Sequence, residues 1–151
     1  MPPATTVDQN RVMDMATAFR LASAERVASL ATIGVDGASH LVPCVFALHS
    51  DTVYTPVDAK PKRSRALQRL RNLERDPRAV LLVQHWDEDW NALWWVRLRG
   101  GGRVVTGPAE LGVARGLLLD KYPQYRDPAE LEPVIAVDVG SWHAWSASPP
   151  P

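Results

Sequence analysis

The stretch "RVASLATIGVDGASHLVPCVFALHSDTVYTPV", Arg26–Val57, decides the fold. Arg26–Gly34 is an apolar run with β-branched residues and reads as a strand. "VDGA", Val35–Ala38, is a turn signal built on Gly37. His40–Leu48 is a second strand, "HSD" turns the chain again, and Thr52–Val57 is a third. Three strands on short connections predict an antiparallel meander. Pro43 cannot donate to a sheet ladder, so the second strand is expected at an edge, at a bulge or beside a ligand.

Upstream, Thr6 and Gln9 have capping-box spacing, and Val12, Met15, Ala16 and Phe19 follow a helical period. That helix is expected to end near Ala22–Ala24. Downstream, Pro61 suits a first helical turn, and Ala66, Leu67, Leu70 and Leu73 form a narrow apolar stripe ended by "RDPR". Ala79–Trp86 is a strongly apolar strand, and "DEDWNA" is a solvated loop. Leu93–Gly107 is one long strand, or two, with "GGG", Gly100–Gly102, expected as a hairpin turn. Gly107 and Pro108 open a helix with Leu111, Ala114 and Leu118 inward, which Pro123 stops. Pro133–Trp145 is the final strand. The βαβ alternation of a Rossmann fold is missing. The pattern predicts a mainly β chain with some α: a small closed or split antiparallel β-barrel with peripheral helices. Residues 1–7 and 146–151 are expected to be flexible, leaving 8–145 as one domain.

Composition narrows the function. The chain has 17 basic and 17 acidic residues, which argues against general nucleic-acid or membrane binding. The single Cys44 cannot build a disulfide framework and fits a reducing cytoplasm. The N-terminus has no basic patch leading an apolar run, so it does not read as a secretory signal. No GxGxxG, GxxxxGK[ST] or GxSxG appears, and His40, His49, His85 and His143 are too scattered to predict a metal site. Cys44 reads as a buried, inert thiol. A chain with no evident catalytic side-chain set, if an enzyme, leaves the chemistry to a bound cofactor.

Two features could serve one. Lys60–Arg78 holds eight basic residues against two acidic ones. Lys62 and Arg63 lie four residues before Ala66 and Leu67, so they project on the inward side of the helix start. With Lys60 they oppose the helix dipole, an arrangement that an anion at the helix start would relieve. The competing reading is an ordinary solvated helix start. Arg65, Arg71 and Arg75 turn toward solvent, and Arg69 lies at the boundary. The second feature is tryptophan, six residues of the eleven aromatics. Adjacent Trp94 and Trp95 must face opposite sides of a strand, so one of them needs a ligand or a partner subunit to cover it.

"RVASLATIGVDGASHLVPCVFAL", "TVYTPVDAKPKR", "LRNLERDPRAVLLVQHWDEDW" and "LWWVRLRGGGRVV" together resemble the split β-barrel flavin-binding superfamily that includes pyridoxamine 5′-phosphate oxidase. The segments "DAKPKR", "RNLERDPR" and "HWDEDWNALWWVR" are most similar to its branch of probable oxidoreductases of the deazaflavin coenzyme F-420. The resemblance covers residues 19–145. It implies a homodimer with cofactor sites at the subunit interface and a phosphate held by Lys60, Lys62 and Arg63. It implies a ring system along His40, Leu41, Val42 and Pro43 and along Thr55, Pro56 and Val57, with Trp94, Trp95 and Arg97 supplied across the interface. F-420 carries a phosphate and an anionic glutamate tail, which suits a long basic segment. The expected function is hydride transfer between F-420 and a small organic substrate, with no metal. FMN on the same fold, or a cofactor carrier without turnover, are the alternatives. The sequence lacks a pyridoxal-phosphate pocket signature, so pyridoxamine oxidation is not expected.

Overall fold

A computed structural model describes residues 13–57 and 63–150, with side chains described outside 63–67. The elements are α1 (Met15–Ala24), β1 (Ala28–Ile33), β2 (Ser39–Cys44), β3 (Ala47–His49), β4 (Thr52–Pro56), α2 (Arg63–Arg75), β5 (Arg78–His85), β6 (Trp94–Val104), α3 (Pro108–Lys121) and β7 (Val134–Ser146). Short 3-10 turns at Trp90–Ala92 and Pro128–Leu131 fill two connections. The seven strands form one sheet in the order β2-β1-β5-β6-β7-β4-β3, every neighbouring pair antiparallel.

The order of the strands requires the sheet to curl. β2 and β3 are opposite edges of the sheet, yet only Val45 and Phe46 separate them in sequence. Three residue steps span at most about 11 Å, so the two edges must come together. The result is a barrel with an open seam, a split barrel. The expected meander is therefore corrected. "HLVPCVFAL" is two strands, β2 paired with β1 and β3 paired with β4. The break falls at Phe46, whose backbone N–H donates to the Tyr122 hydroxyl at 3.0 Å and whose carbonyl accepts from it at 3.0 Å. Those groups are unavailable to a ladder, so the strand cannot run on.

Alternation sorts the side chains. Leu30, Val53, Leu81, Val83, Val96, Leu98, Ile135 and Val137 fill the barrel with the fully buried Phe46. Tyr54, Val134 and Ala136 point outward and are covered by Ala114 and Leu118 of α3 and by Leu131. The expected inward face of α3 is the observed one, with Gly107 as N-cap and Pro108 in the first turn. Arg103 clamps α3 to the sheet: its guanidinium donates to Glu110 Oε1 and Asp138 Oδ2, both at 2.7 Å. α1 puts Ala18 and Ala22 into the barrel end where β5 finishes, and Glu25 approaches His85 there. Its N-cap is Asp14, which accepts the Thr17 N–H at 2.9 Å; Thr6, Gln9 and Val12 lie outside the described residues.

α2 crosses the opposite end. Leu73 enters the core, and Asn72, 0% exposed, donates to Thr32 Oγ1 while accepting from Gln68 and Arg75. Arg75 is exposed, as expected, but it also donates to the Ile33 carbonyl and ties the helix to β1. The "GGG" expectation is corrected here as well. Gly100–Gly102 lie inside β6, at a register shift against β7 between Arg99 and Gly100. Glycine serves close approach in this strand rather than a chain reversal: a Cβ on Gly102 would stand 2.6 Å from Leu73 Cδ2.

Lys121 lies over Phe46, in the two-residue link between β2 and β3. Its Nζ sits 3.9 Å from the Phe46 ring centroid with no hydrogen-bond partner. Burial, helped by Arg26, pushes its pKa down to about 8, against a lesser opposing effect of Glu25. The unfolded chain therefore holds its Lys121 proton to higher pH than the folded one. Between about pH 8 and 9 the unfolded state binds more protons, so stability should rise with pH. Above that window Cys44, and then Tyr54 and Tyr122, whose pKa values are raised, act in the opposite sense. Urea denaturation at pH 7.5, 8.5 and 9 should show the rise in the parent and a flat profile in Lys121→Met. An equal rise in both proteins would remove Lys121 as its source.

Candidate functional site

The seam is the candidate site, because two sheet walls face each other there without a ladder. β2 is an edge strand, and alternate residues turn backbone N–H and C=O groups away from β1. On the other wall β3 pairs only with Thr52–Tyr54, so Thr55 and Pro56 extend past it. The residues expected along a ring system, His40–Pro43 and Thr55–Val57, are thus the two walls of one seam.

Within those walls the side chains divide by parity. His40 and Val42 face inward with Cys44; Leu41 and Pro43 face outward and are exposed, Leu41 at 67%. Thr55 and Val57 are buried. The Thr55 hydroxyl and His40 Nδ1 are buried polar atoms with no hydrogen-bond partner. Such atoms are uncommon in folded proteins and mark places where something else can bond. Burial raises the Cys44 pKa; the neighbouring Thr55 hydroxyl and the Arg69 charge oppose that effect. The reading of Cys44 as a buried thiol agrees with its 8% exposure.

Trp94 and Trp95 do face opposite ways. Trp94 is buried and stacks on His85, centroids 5.9 Å apart. Trp95 is half-buried on the outer face, where the Arg97 guanidinium lies 5.5 Å from its ring centroid. Arg97 Nε is a further buried atom without a partner. The strand register sets Arg97 in one cross-strand row with Pro43, Ser29, Leu82 and His143. The outer face therefore runs from the seam edge of β2, across Ser29 and Leu82, to Arg97 and Trp95.

Lys60 and Lys62 lie outside the described residues, and Arg63 opens α2 without a described side chain. Among the described residues no three His, Cys, Asp or Glu side chains stand close enough to share a metal ion, and no helix is long and apolar enough to cross a membrane. A shallow groove beside α3, lined by Val105, Leu111, Glu132, Pro133 and Val134, is a weaker candidate, because Arg115 already engages its carboxylate.

The split barrel and its seam can be compared with known proteins. The family pattern described as pyridoxamine 5′-phosphate oxidase matches residues 15–146. The chain belongs to that family. Among solved structures, members of the same fold include a conserved hypothetical protein of Mycobacterium tuberculosis, 23% identical, covering 97% of this chain and 91% of that one with a TM-score of 0.74. An FAD-binding protein of Mycobacterium smegmatis is 19% identical over 89% of this chain and 95% of that one, TM-score 0.64. An FAD-binding protein of Mesorhizobium loti is 14% identical over the same shares, TM-score 0.68. None of the curated proteins matches. Family membership accounts for the strand order and for the seam; the low identities carry the fold alone.

Proposed function

We propose that this chain is a homodimeric oxidoreductase that binds a flavin-type cofactor, the deazaflavin F-420, along its seam and passes a hydride between it and a small organic substrate. The observation that carries the reading is the open seam, whose walls expose edge backbone of β2 and unpaired buried polar atoms of His40 and Thr55. A planar ring against an edge strand meets residues of both parities through their backbone, so the division of His40–Pro43 between two faces does not separate them from one ligand. Membership of the pyridoxamine 5′-phosphate oxidase family supports a flavin-type ring. The basic segment from Lys60 supports a cofactor more anionic than FMN.

When bound, the cofactor supplies the hydride chemistry. The chain's residues do the rest. Lys60, Lys62 and Arg63 hold the phosphate. The His40–Pro43 and Thr55–Val57 walls orient the ring and exclude water from one side. The outer face with Leu41, Pro43, Leu82 and Trp95 is apolar enough to need a cover, and a second copy of this chain supplies it along with its own Trp95 and Arg97. FMN is the second reading, favoured by the two FAD-binding proteins of the same fold.

Titrating the purified protein with F-420 at low salt, while following cofactor fluorescence, tests this. Saturable binding is expected, weakened at least about tenfold by Lys60→Ala with Lys62→Ala, the loss of one charge-assisted contact or more. Arg71→Ala should leave it unchanged; Arg75 is unsuited as a control because it anchors α2. A yellow protein with flavin absorbance would shift the assignment to FMN, and binding without hydride transfer would make the chain a carrier. A folded sample that binds neither would sink the proposal, as would a clean monomer by light scattering for the interface.

A further inference from the structure

The outer face of β5 and β6 changes character from one end to the other. Ala79, Leu81 and Val83 of β5 are buried in the core, so the outward series is Arg78, Val80, Leu82 and Gln84. Trp86 continues that series one residue past the strand. The Arg78 side chain is 76% exposed and Trp86 is 66% exposed. On β6 the outward residues are Trp95, Arg97 and the exposed Arg99. The antiparallel register sets Gln84 opposite Trp95, Leu82 opposite Arg97 and Val80 opposite Arg99. One end of the face is therefore arginine and the other tryptophan, with the acidic turn Asp87–Asp89 just beyond Trp86.

Such a face fits a copy of itself turned end for end. Leu82 is midway between Arg78 and Trp86, and Arg97 is midway between Trp95 and Arg99. Because Leu82 and Arg97 are register partners, one two-fold axis laid across the strands through that pair serves both strands at once. It brings Trp86 level with Arg78 of the partner subunit, each about 13 Å from the axis. It brings Trp95 level with Arg99 of the partner subunit, each about 7 Å from the axis. Indole and guanidinium stack on each other, and both are among the side chains most enriched where interfaces bind tightly. Asp76 holds the edge of the Arg78 guanidinium, with Nη2 2.7 Å from Oδ2, which leaves the flat faces for an indole. Arg97 meets its own copy on the axis, but its guanidinium lies 5.5 Å from the Trp95 ring centroid. Each Arg97 therefore leans toward its own tryptophan end and away from the other. The acidic turn comes to the arginine end of the other copy, so the charges agree as well. An axis running along the strands does the reverse, setting arginine on arginine and carboxylate on carboxylate.

We propose that the outer face of β5 and β6 is a self-complementary docking surface for a second copy of this chain, packed antiparallel, with Trp86 of each subunit stacked on Arg78 of the partner subunit. The proposal rests on the reading of that face as the dimer interface, and it fixes the orientation and the anchoring side chains of that interface.

The test is sedimentation equilibrium of the full chain beside Trp86→Ala and Arg78→Ala, taken singly, combined in one chain, and mixed as two proteins. Each dimer holds the Trp86–Arg78 contact twice, so either single variant should raise the dimer dissociation constant about tenfold. The doubly substituted chain should be no weaker than either single one. Mixing the two single variants should give a heterodimer tighter than either homodimer, beyond the statistical preference, because it keeps one intact contact. Within one chain the two residues lie eight positions apart along β5, about 27 Å, so coupling between them passes only between subunits. Effects that simply add, or a mixture no tighter than its components, would overturn the proposal. A parent dimer that binds F-420 and is indifferent to every variant removes this orientation and leaves the oxidoreductase reading. A dimer weakened as expected, with neither F-420 nor FMN bound, does the reverse. A monomeric parent removes the interface and this orientation with it.

Discussion

Tyr122→Phe should lower the unfolding free energy by about 1–3 kcal/mol, the cost of stranding buried backbone groups. For a chain of this length that is a fall of roughly 2–4 °C in melting temperature per kcal/mol. The substitution removes one oxygen and leaves the ring, so packing is conserved. That oxygen accepts the Phe46 N–H at 3.0 Å and faces the carbonyls of Arg26 at 2.9 Å and Phe46 at 3.0 Å. One hydroxyl proton is shared between the two carbonyls, so the certain loss is the acceptor for the Phe46 N–H. Phe46 is 0% exposed and lies where the chain steps from one sheet edge to the other. Water cannot replace the lost acceptor without opening the seam. Urea denaturation with both fluorescence and far-ultraviolet dichroism measures the effect. A change under about 0.5 kcal/mol, the range of an ordinary surface substitution, would show that Phe46 finds another acceptor and that Tyr122 does not close the barrel.

The same tyrosine shows why the seam was only partly legible in the sequence. Local pattern predicts the strands apart from the division of β2 from β3, the opposite facing of Trp94 and Trp95, and the inward stripe of α3, because those depend on near neighbours in the chain. The division of β2 from β3 depends on a hydroxyl 76 residues away, and nothing within "HLVPCVFAL" marks Phe46 as the crossing point. Pro43 was the available signal, and it does lie on an edge strand. Asn72 was likewise hidden: a polar residue on a narrow helical stripe reads as boundary until Thr32 is set opposite it. The two seam walls came from the resemblance to a family rather than from periodicity. Arg69 stayed undecided because its side chain starts at the edge of the helix's inward face, where the position of the sheet settles its direction.

Gly100→Ala should be the most damaging of the single-methyl changes in this chain, and Gly101→Ala, one residue on, should be nearly silent. A Cβ on Gly100 would stand 1.9 Å from the Asp138 carbonyl oxygen, 2.7 Å from its carbon and 3.0 Å from Val139 Cα. All three contacts are backbone of β7, so no side chain can rotate aside. Either the β6–β7 ladder separates at this point or the register shift between Arg99 and Gly100 is lost. Overpacking of a closed core costs roughly 1–3 kcal/mol and occasionally more, and a clash with backbone belongs at the upper end. The damage should spread, because Asp138 beside the clash holds Arg103, which in turn holds Glu110 of α3. A Cβ on Gly101 meets nothing within 4 Å, and that change should stay within about 0.5 kcal/mol. The pair is compared by thermal and urea denaturation of the two variants beside the parent. Equal stability of Gly100→Ala and Gly101→Ala would mean that β6 and β7 do not approach as closely as the register shift requires. A hairpin turn at "GGG" would predict the opposite ranking, because a central turn glycine at positive φ resists a Cβ whatever the space around it.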